Sequence, residues 1–270
     1  MLTLVPTPIG NIGDISLRAM DALRDADTLL CEDTRVTKKL LHILSERYNL
    51  ERKEQNFIAL HSHNEQAFIE KIEPEFFEKN VVYVSDAGMP GISDPGQLLV
   101  RYCQEEKIEY DVLPGANALL TAFVASGFVN TQMLFFGFLA HKGKERATAL
   151  QGALHNGFTT VLYEAPHRLE KLMKELASEV PERRVFMAKE LTKKYQNYFH
   201  AKASELPNLI DKSLIKGEWV VVIEAGASRD SSLSEKDVLS LDIPKKSAAK
   251  LISKITGENT KACYQRLLDL

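Results

Sequence analysis

Short apolar runs alternate with amphipathic stretches along the first half of the chain. Leu2–Val5 is a compact apolar run bounded by turn residues, which predicts a buried strand. A helix is expected from about Asp14, with Asp14 as its N-cap and Leu17, Met20 and Leu23 along one side. The strand DTLLCE leads to a helix from Thr34 to about Ser45, and the polar stretch from Arg47 to Gln55 reads as a loop. Strand FIALHS and a helix from Asn64 to about Lys79 follow, then strand NVVYVSD. The loop AGMPGISDPG opens a helix over Gln97–Glu106, and strand YDVLP precedes the apolar helix ANALLTAFVASG. Strands joined by helix-length segments predict an α/β domain around a mainly parallel sheet.

Beyond Gly127 the texture changes. MLFFGFL, TTVLYEA, RVFMAKE, YQNYFHAKASEL and EWVVVIEAG read as strands, with helices over Glu145–His155 and His167–Glu179. Several strands in quick succession predict a mixed sheet. The expected division is an N-terminal α/β domain over 1–118, a second α/β domain over 119–228 and a basic helical extension over 229–270. In that extension Ala248, Leu251, Ile252 and Ile255 fall at the spacing of one helix face, TGEN offers a glycine stop, and a second helix starts near Thr260.

Composition narrows the picture in three ways. The chain has 270 residues and a formal net charge of −3, so a polyanionic partner would have to be met by local basic patches and not by a global field. Cys31, Cys103 and Cys263 are scattered with no CxxC pair, which argues against a disulfide framework or zinc site and fits a reducing cytosol. The first ten residues lack a basic leader segment, and the apolar stretches fall short of the ~18 residues a membrane span needs. A cytoplasmic protein without a membrane segment is expected. No GxGxxG follows a strand, no GxxxxGK[ST] occurs, and GISDPG is not a GxSxG elbow. His61 and His63 read as structural histidines, not metal ligands.

Three turns carry the candidate chemistry: PTPIGN, DAGMPGISDPG and LPGANA. Each follows a predicted strand, where an open parallel sheet presents its ligands. Proline stiffens such a turn, and glycine lets another molecule approach the backbone. None of the three is basic, so a neutral or zwitterionic small molecule suits them better than a phosphate.

Together VPTPIGNIGD, CEDTR, VSDAGMPGISDPG, VLPGANALLTAFVASG, FFGFLAHKGKER, VLYEAPHRL and AKELTKKYQ resemble the tetrapyrrole-methylase superfamily, in order from Leu2 to about Gly226. More narrowly the chain resembles the 16S rRNA (cytidine-2′-O)-methyltransferases, and its tail is similar to their C-terminal helical segment. The resemblance implies a two-domain α/β fold binding S-adenosylmethionine between the domains, a homodimer, and a target 2′-hydroxyl on a cytidine in the decoding centre of the small ribosomal subunit. Carried over by position, it points to Pro8, to Ala87, Gly88, Met89, Ile92 and Asp94, and to Asn117 and Ala118 as cofactor contacts. Tyr163, Trp219 and Val220 would complete the cleft from the second domain. Met89 stands where porphyrin methylases usually carry an acid, which favours the RNA branch over tetrapyrrole synthesis.

A ribose hydroxyl is a weak nucleophile near neutral pH, so a general base or a nearby cation is expected. CEDTR places Glu32, Asp33 and Arg35 at a strand-to-helix junction: Asp33 or Glu32 as base or substrate anchor, and Arg35 as phosphate or alkoxide partner. The alternative is a capped helix start with a salt bridge and no catalytic part. Lys189 and Glu190 form a reserve pair. RNA contacts are expected from Lys38, Lys142, Lys144, Arg146, Arg168, Lys193 and Lys194, with Tyr195 and the basic tail beside them.

Overall fold

A computed structural model describes residues 1–129, 131–211, 215–226 and 235–268. The first sheet is all parallel and holds β1 (Leu2–Leu4), β2 (Thr28–Cys31), β3 (Asn56–Ala59), β4 (Val81–Val84) and β5 (Tyr110–Val112) in the order β3-β2-β4-β1-β5. Strands β2 and β4 are buried along their whole length because helices cover both faces of the sheet. On one face α1 (Leu17–Asp25) and α2 (Thr34–Tyr48) pack Leu23, Leu41 and Leu44 against Leu29, Val82 and Val84. On the other, α3 (Glu65–Ile69) and α4 (Gln97–Glu105) pack Phe68, Leu99 and Cys103 with Leu4, Leu30 and Tyr83. Two-sided burial explains why these strands read as continuous apolar runs.

The strand order positions the site. β4, β1 and β5 are neighbours, so the three Pro/Gly turns that follow them emerge side by side. β2 adjoins β4 on the opposite side, which brings the CEDTR junction next to the DAGMPGISDPG loop.

After α5 (Ala118–Ser126) comes the mixed sheet. Its strands are β6 (Met133–Phe138), β7 (Thr159–Glu164), β8 (Arg184–Lys189), β9 (Asn197–Lys202) and β10 (Trp219–Ile223), ordered β6-β7-β10-β8-β9. Only β6 and β7 run parallel; the other neighbours are antiparallel. One face is covered by α6 (Gly143–Leu154), α7 (Pro166–Glu179) and the short α8 (Leu206–Leu209). The other packs Val161, Phe186, Ala188 and Val222 against α5 and against Ile9 from the first turn. Ile9 thus ties the first sheet's loop into the second sheet's core. The tail forms α9 (Glu235–Leu239), α10 (Lys245–Thr256) and α11 (Thr260–Leu268) around Val238, Ala249, Ile252 and Cys263. The boundary expected at 228/229 lies outside the described residues.

Three expectations need correction. The N-cap of α1 is Ser16, whose hydroxyl accepts the Ala19 N–H at 3.1 Å; Asp14 instead ends a 3₁₀ turn capped by Asn11. Replacing Ser16 by alanine is expected to cost about 1 kcal/mol while Asp14→Ala stays near neutral, as read from urea midpoints. The helix expected over Asn64–Lys79 is α3 followed by a separate 3₁₀ turn at Pro74–Glu78. Pro74 lacks an N–H and its ring clashes with a preceding helical turn, so the helix cannot run through it. In α10 the buried face is Ala248, Ala249 and Ile252, whereas Leu251 and Ile255 are exposed, because α9 and α11 cover only the narrower side.

Candidate active site between the two sheets

The three turns lock onto one another through backbone. Thr7 and Gly88 exchange N–H···O bonds of 3.0 Å in both directions, an isolated antiparallel bridge between the first and second turns. Gly88 has φ +84, and a Cβ there would stand 3.1 Å from Ile9 Cγ2. A Cβ on Gly115 of the third turn would come within 2.7 Å of Pro6 Cβ. Asn117 closes that turn as the N-cap of α5, its Oδ1 accepting the Leu120 N–H at 3.0 Å. The first turn also meets the loop after β8, where the Asn11 N–H donates to Thr192 Oγ1 at 3.0 Å. The stiffness of PTPIGN therefore holds two other loops and the second sheet in register.

These loops wall one side of a cavity of about 350 Å³. Ala87, Gly88, Met89, Ile92 and Asp94 line it from the second turn, and Asn117 and Ala118 from the third. Tyr163, Trp219 and Val220 line it from β7 and β10. From the first turn Ile9 lines it, where Pro8 was expected. Ile9 is buried among Val161, Phe186 and Val220 of the second sheet and takes the inward position. Phe138, Glu164, Pro166, Leu191 and Glu218 also line it and were missed, because only Tyr163, Trp219 and Val220 were carried over from the second domain and the other stretches were read as strands or basic runs. The lining is mostly apolar with a few convergent polar groups, as in small-molecule sites generally.

Beside this cavity the ends of β2 and β4 assemble an acidic cluster. Glu32 Oε2 accepts the Asp86 N–H at 3.1 Å, and Asp86 Oδ1 accepts the Asp33 N–H at 3.1 Å. Asp33 caps α2, accepting the Arg35 N–H at 2.8 Å, and its carboxylate is gripped by the Arg35 guanidinium at 2.6 Å. That grip holds the Asp33 carboxyl down at about 2. Burial, then the charge of Glu32, pushes Asp86 up. The same causes push Asp94 up to about 6, against a hydrogen bond with Ser85. Glu32, Asp33 and Arg35 thus come together as the sequence suggested, but Asp33 and Arg35 are engaged with each other, and none of the three lines the cavity.

The basic residues divide. Arg146 was expected to face RNA, yet its side chain is only 2% exposed. It is held by Glu175 at 2.8 Å, Glu164 at 3.4 Å and the Ala140 carbonyl at 3.2 Å. Arg168 lies 3.0 Å from Glu164 and donates to the Leu139 and Ala140 carbonyls. Both are corrected to structural cations that neutralise Glu164, a buried carboxylate of the cavity wall. Lys193 bridges Glu190 at 3.1 Å and Glu218 at 2.9 Å, and Glu190 also accepts the Glu218 N–H at 2.8 Å. That engages the reserve acid Glu190 in holding the cavity rim together. Lys189 lies over the Trp219 ring, Lys38 over Phe57 at 4.9 Å and Lys194 over Tyr195 at 5.7 Å. Lys142 and Lys144 are exposed at the start of α6.

A two-sheet α/β body with loop-walled cavity between the sheets defines a class, and the comparisons agree with it. The chain belongs to the tetrapyrrole (corrin/porphyrin) methylase family, whose model matches residues 1–207. Solved structures share the fold at low identity. The methyltransferase CobJ aligns with TM-score 0.58 and 18% identity over 84% of this chain and 95% of that one. Uroporphyrin-III C-methyltransferase from Thermus thermophilus, complexed with S-adenyl homocysteine, aligns with TM-score 0.53 and 15% identity over 83% and 91%. Within the family, this chain is 46% identical to Ribosomal RNA small subunit methyltransferase I of Campylobacter fetus, over 99% of this chain and 100% of that protein. Among the described residues no helix is long and apolar enough to cross a membrane.

Proposed function

We propose that this protein is an S-adenosylmethionine-dependent methyltransferase acting on the 2′-hydroxyl of a cytidine in the decoding centre of 16S ribosomal RNA. The observation that carries the reading is full-length likeness to a small-subunit rRNA methyltransferase, coupled to a cavity built from backbone turns. The cavity fits the methyl donor in kind. Trp219 and Tyr163 offer aromatic faces, Ile9, Ile92, Leu191 and Val220 an apolar wall, and Asp94 with Glu218 acidic groups. S-adenosylmethionine would supply an activated methyl group on sulfur. The chain's own residues supply a fixed wall, water exclusion and orientation, which is most of what such a transfer needs from protein.

On the RNA side, Lys38, Lys142, Lys144 and Lys194 are the expected basic residues that remain exposed and outside ion pairs among the described residues. Replacing Lys142 and Lys144 together by alanine is expected to weaken rRNA binding and to lower the slope of log K against log salt by about 1.4, measured by filter binding across a salt series. Leu120 and Val124 are exposed apolar side chains on α5 and support a second copy of the chain as partner, to be checked by sedimentation.

The deciding experiment is transfer of labelled methyl from S-adenosylmethionine to purified small subunits, with mass-spectrometric mapping of 2′-O-methyl marks and a porphyrinogen as competitor. Label on a cytidine ribose is expected. Label in the porphyrinogen alone would overturn the reading.

A further inference from the structure

Among the described residues, three aromatic side chains line the cavity: Phe138, Tyr163 and Trp219. Trp219 is only 2% exposed and Tyr163 is half-buried, whereas Phe138 is 54% exposed. Isolated exposed apolar side chains are ordinary on protein surfaces. Phe138 differs from them because the backbone is bent to put it there.

The strand register shows the bend. Phe135 pairs with Val161, but the next pairs along are Gly137 with Leu162 and Phe138 with Tyr163, so β6 carries one extra residue, Phe136. Phe135 lies on the cavity side of the sheet, its ring 5.0 Å from that of Tyr163, and Phe136 packs on the other side with the core under α6 and α7. Strict alternation would send Phe138 to the side of Phe136. The bulge cancels that step, and Phe138 lands beside Tyr163 with ring centroids 5.6 Å apart and planes at 64°. Gly137 has φ +70 and nothing within 4 Å of its Cβ position, so this glycine serves the backbone bend and not a close neighbour. Bulges of this kind recur beside active sites, where they re-aim one side chain.

The chain just beyond the ring is anchored from below. The Leu139 carbonyl accepts from Arg168, and the Ala140 carbonyl accepts from Arg146 at 3.2 Å. Phe138 therefore stands on a fixed support at the cavity mouth. Lys142 and Lys144 follow it by four and six residues and are exposed.

We infer that Phe138 is the platform on which the base of the target nucleotide stacks. The inference rests on the methyltransferase reading above and names the group that holds the reacting nucleotide of the RNA. Bringing a ribose up to a methyl held inside a cavity draws its nucleotide out of the strand's own stack, which costs stacking energy. An aromatic face at the mouth offsets that cost, as in single-stranded RNA recognition generally. Lys142 and Lys144 suit the phosphates that flank the extruded nucleotide. Trp219 and Tyr163, deeper in the cavity, are left to the methyl donor.

The test compares wild type with Phe138→Ala, Phe138→Leu and Phe138→Tyr. Calorimetry with S-adenosylmethionine should give affinities within about 3-fold of one another, since the ring serves the acceptor. Methyl transfer to small subunits should lose about 10-fold or more in kcat/KM for Phe138→Ala, the range that one lost base-stacking contact spans. Phe138→Tyr, which keeps a π face, should restore the rate, and Phe138→Leu, which keeps only apolar bulk, should not. Urea midpoints unchanged across the set would separate this from a merely structural loss. An active wild type matched by Phe138→Ala, or a leucine variant as fast as the tyrosine one, overturns the stacking platform and leaves the function standing. A donor affinity that falls in step with transfer places Phe138 in the donor site and overturns the platform as well. A wild type inactive on small subunits overturns the function and takes the platform with it.

Discussion

Arg146→Ala is expected to destabilise the fold by about 3–5 kcal/mol, the cost of leaving a buried carboxylate without its partner. Glu164 is 0% exposed at its side chain and Glu175 is 24% exposed, and both are held by this one guanidinium. Arg168 and the Ala165 N–H would remain near Glu164, but the Ala140 carbonyl and Glu175 would lose their main donor. Against a total of roughly 5–15 kcal/mol for a folded domain, that loss is large. Urea unfolding should show it as a lowered midpoint. Adding Glu164→Gln and Glu175→Gln to the arginine change should recover part of it, since the stranded charges go too. Lys142→Ala and Lys144→Ala, from the same HKGKER stretch, should move stability by less than about 0.5 kcal/mol. A midpoint unchanged in Arg146→Ala would show that the buried network is not what holds α6 and α7 together.

The contrast within HKGKER marks where sequence reading stops. Lys142, Lys144 and Arg146 look alike as a basic run. Yet Arg146 lies on the same helical face as Leu150, Ala153 and Leu154, all of them buried, and that periodicity was the available signal. The strands were legible because covering both faces of a sheet forces continuous apolar runs, as in Thr28–Cys31 and Val81–Val84. The cavity loops were legible because proline and glycine after a strand restrict the backbone in recognisable ways. Helix starts were less so. Asp14 and Ser16 are both good caps, and only Asn11, by nucleating a 3₁₀ turn upstream, decides between them. The proton affinity of Asp94 was not legible at all. It comes first from burial and then from Glu32 and Asp86, which lie at strand ends brought together by the order of the sheet.

The second large effect concerns the joint between turns. Gly88→Val is expected to weaken S-adenosylmethionine binding by about 100-fold or more, close to 2.8 kcal/mol at 1.4 kcal/mol per tenfold. Two causes act together. A β-branched residue at φ +84 is strained, by at least the 1–2 kcal/mol that left-handed backbone costs an L-residue. Its Cβ would also stand 3.1 Å from Ile9 Cγ2, before the two extra methyls are counted. Relief requires the second turn to back away from the first, which breaks the paired 3.0 Å bonds between Thr7 and Gly88 and moves Ala87, Met89 and Ile92 on the cavity wall. Gly257→Val is the control. That glycine has φ +75 and ends α10 with nothing within 4 Å of its Cβ position, so it carries a similar backbone penalty without the steric one and lies far from the cavity in the chain. Calorimetry should therefore find S-adenosylmethionine affinity lost in the first variant and kept in the second. Equal affinities in both would mean that the interlocked turns do not shape the donor site, and the cavity beside Ile9, Asp94 and Trp219 would have to serve some other ligand.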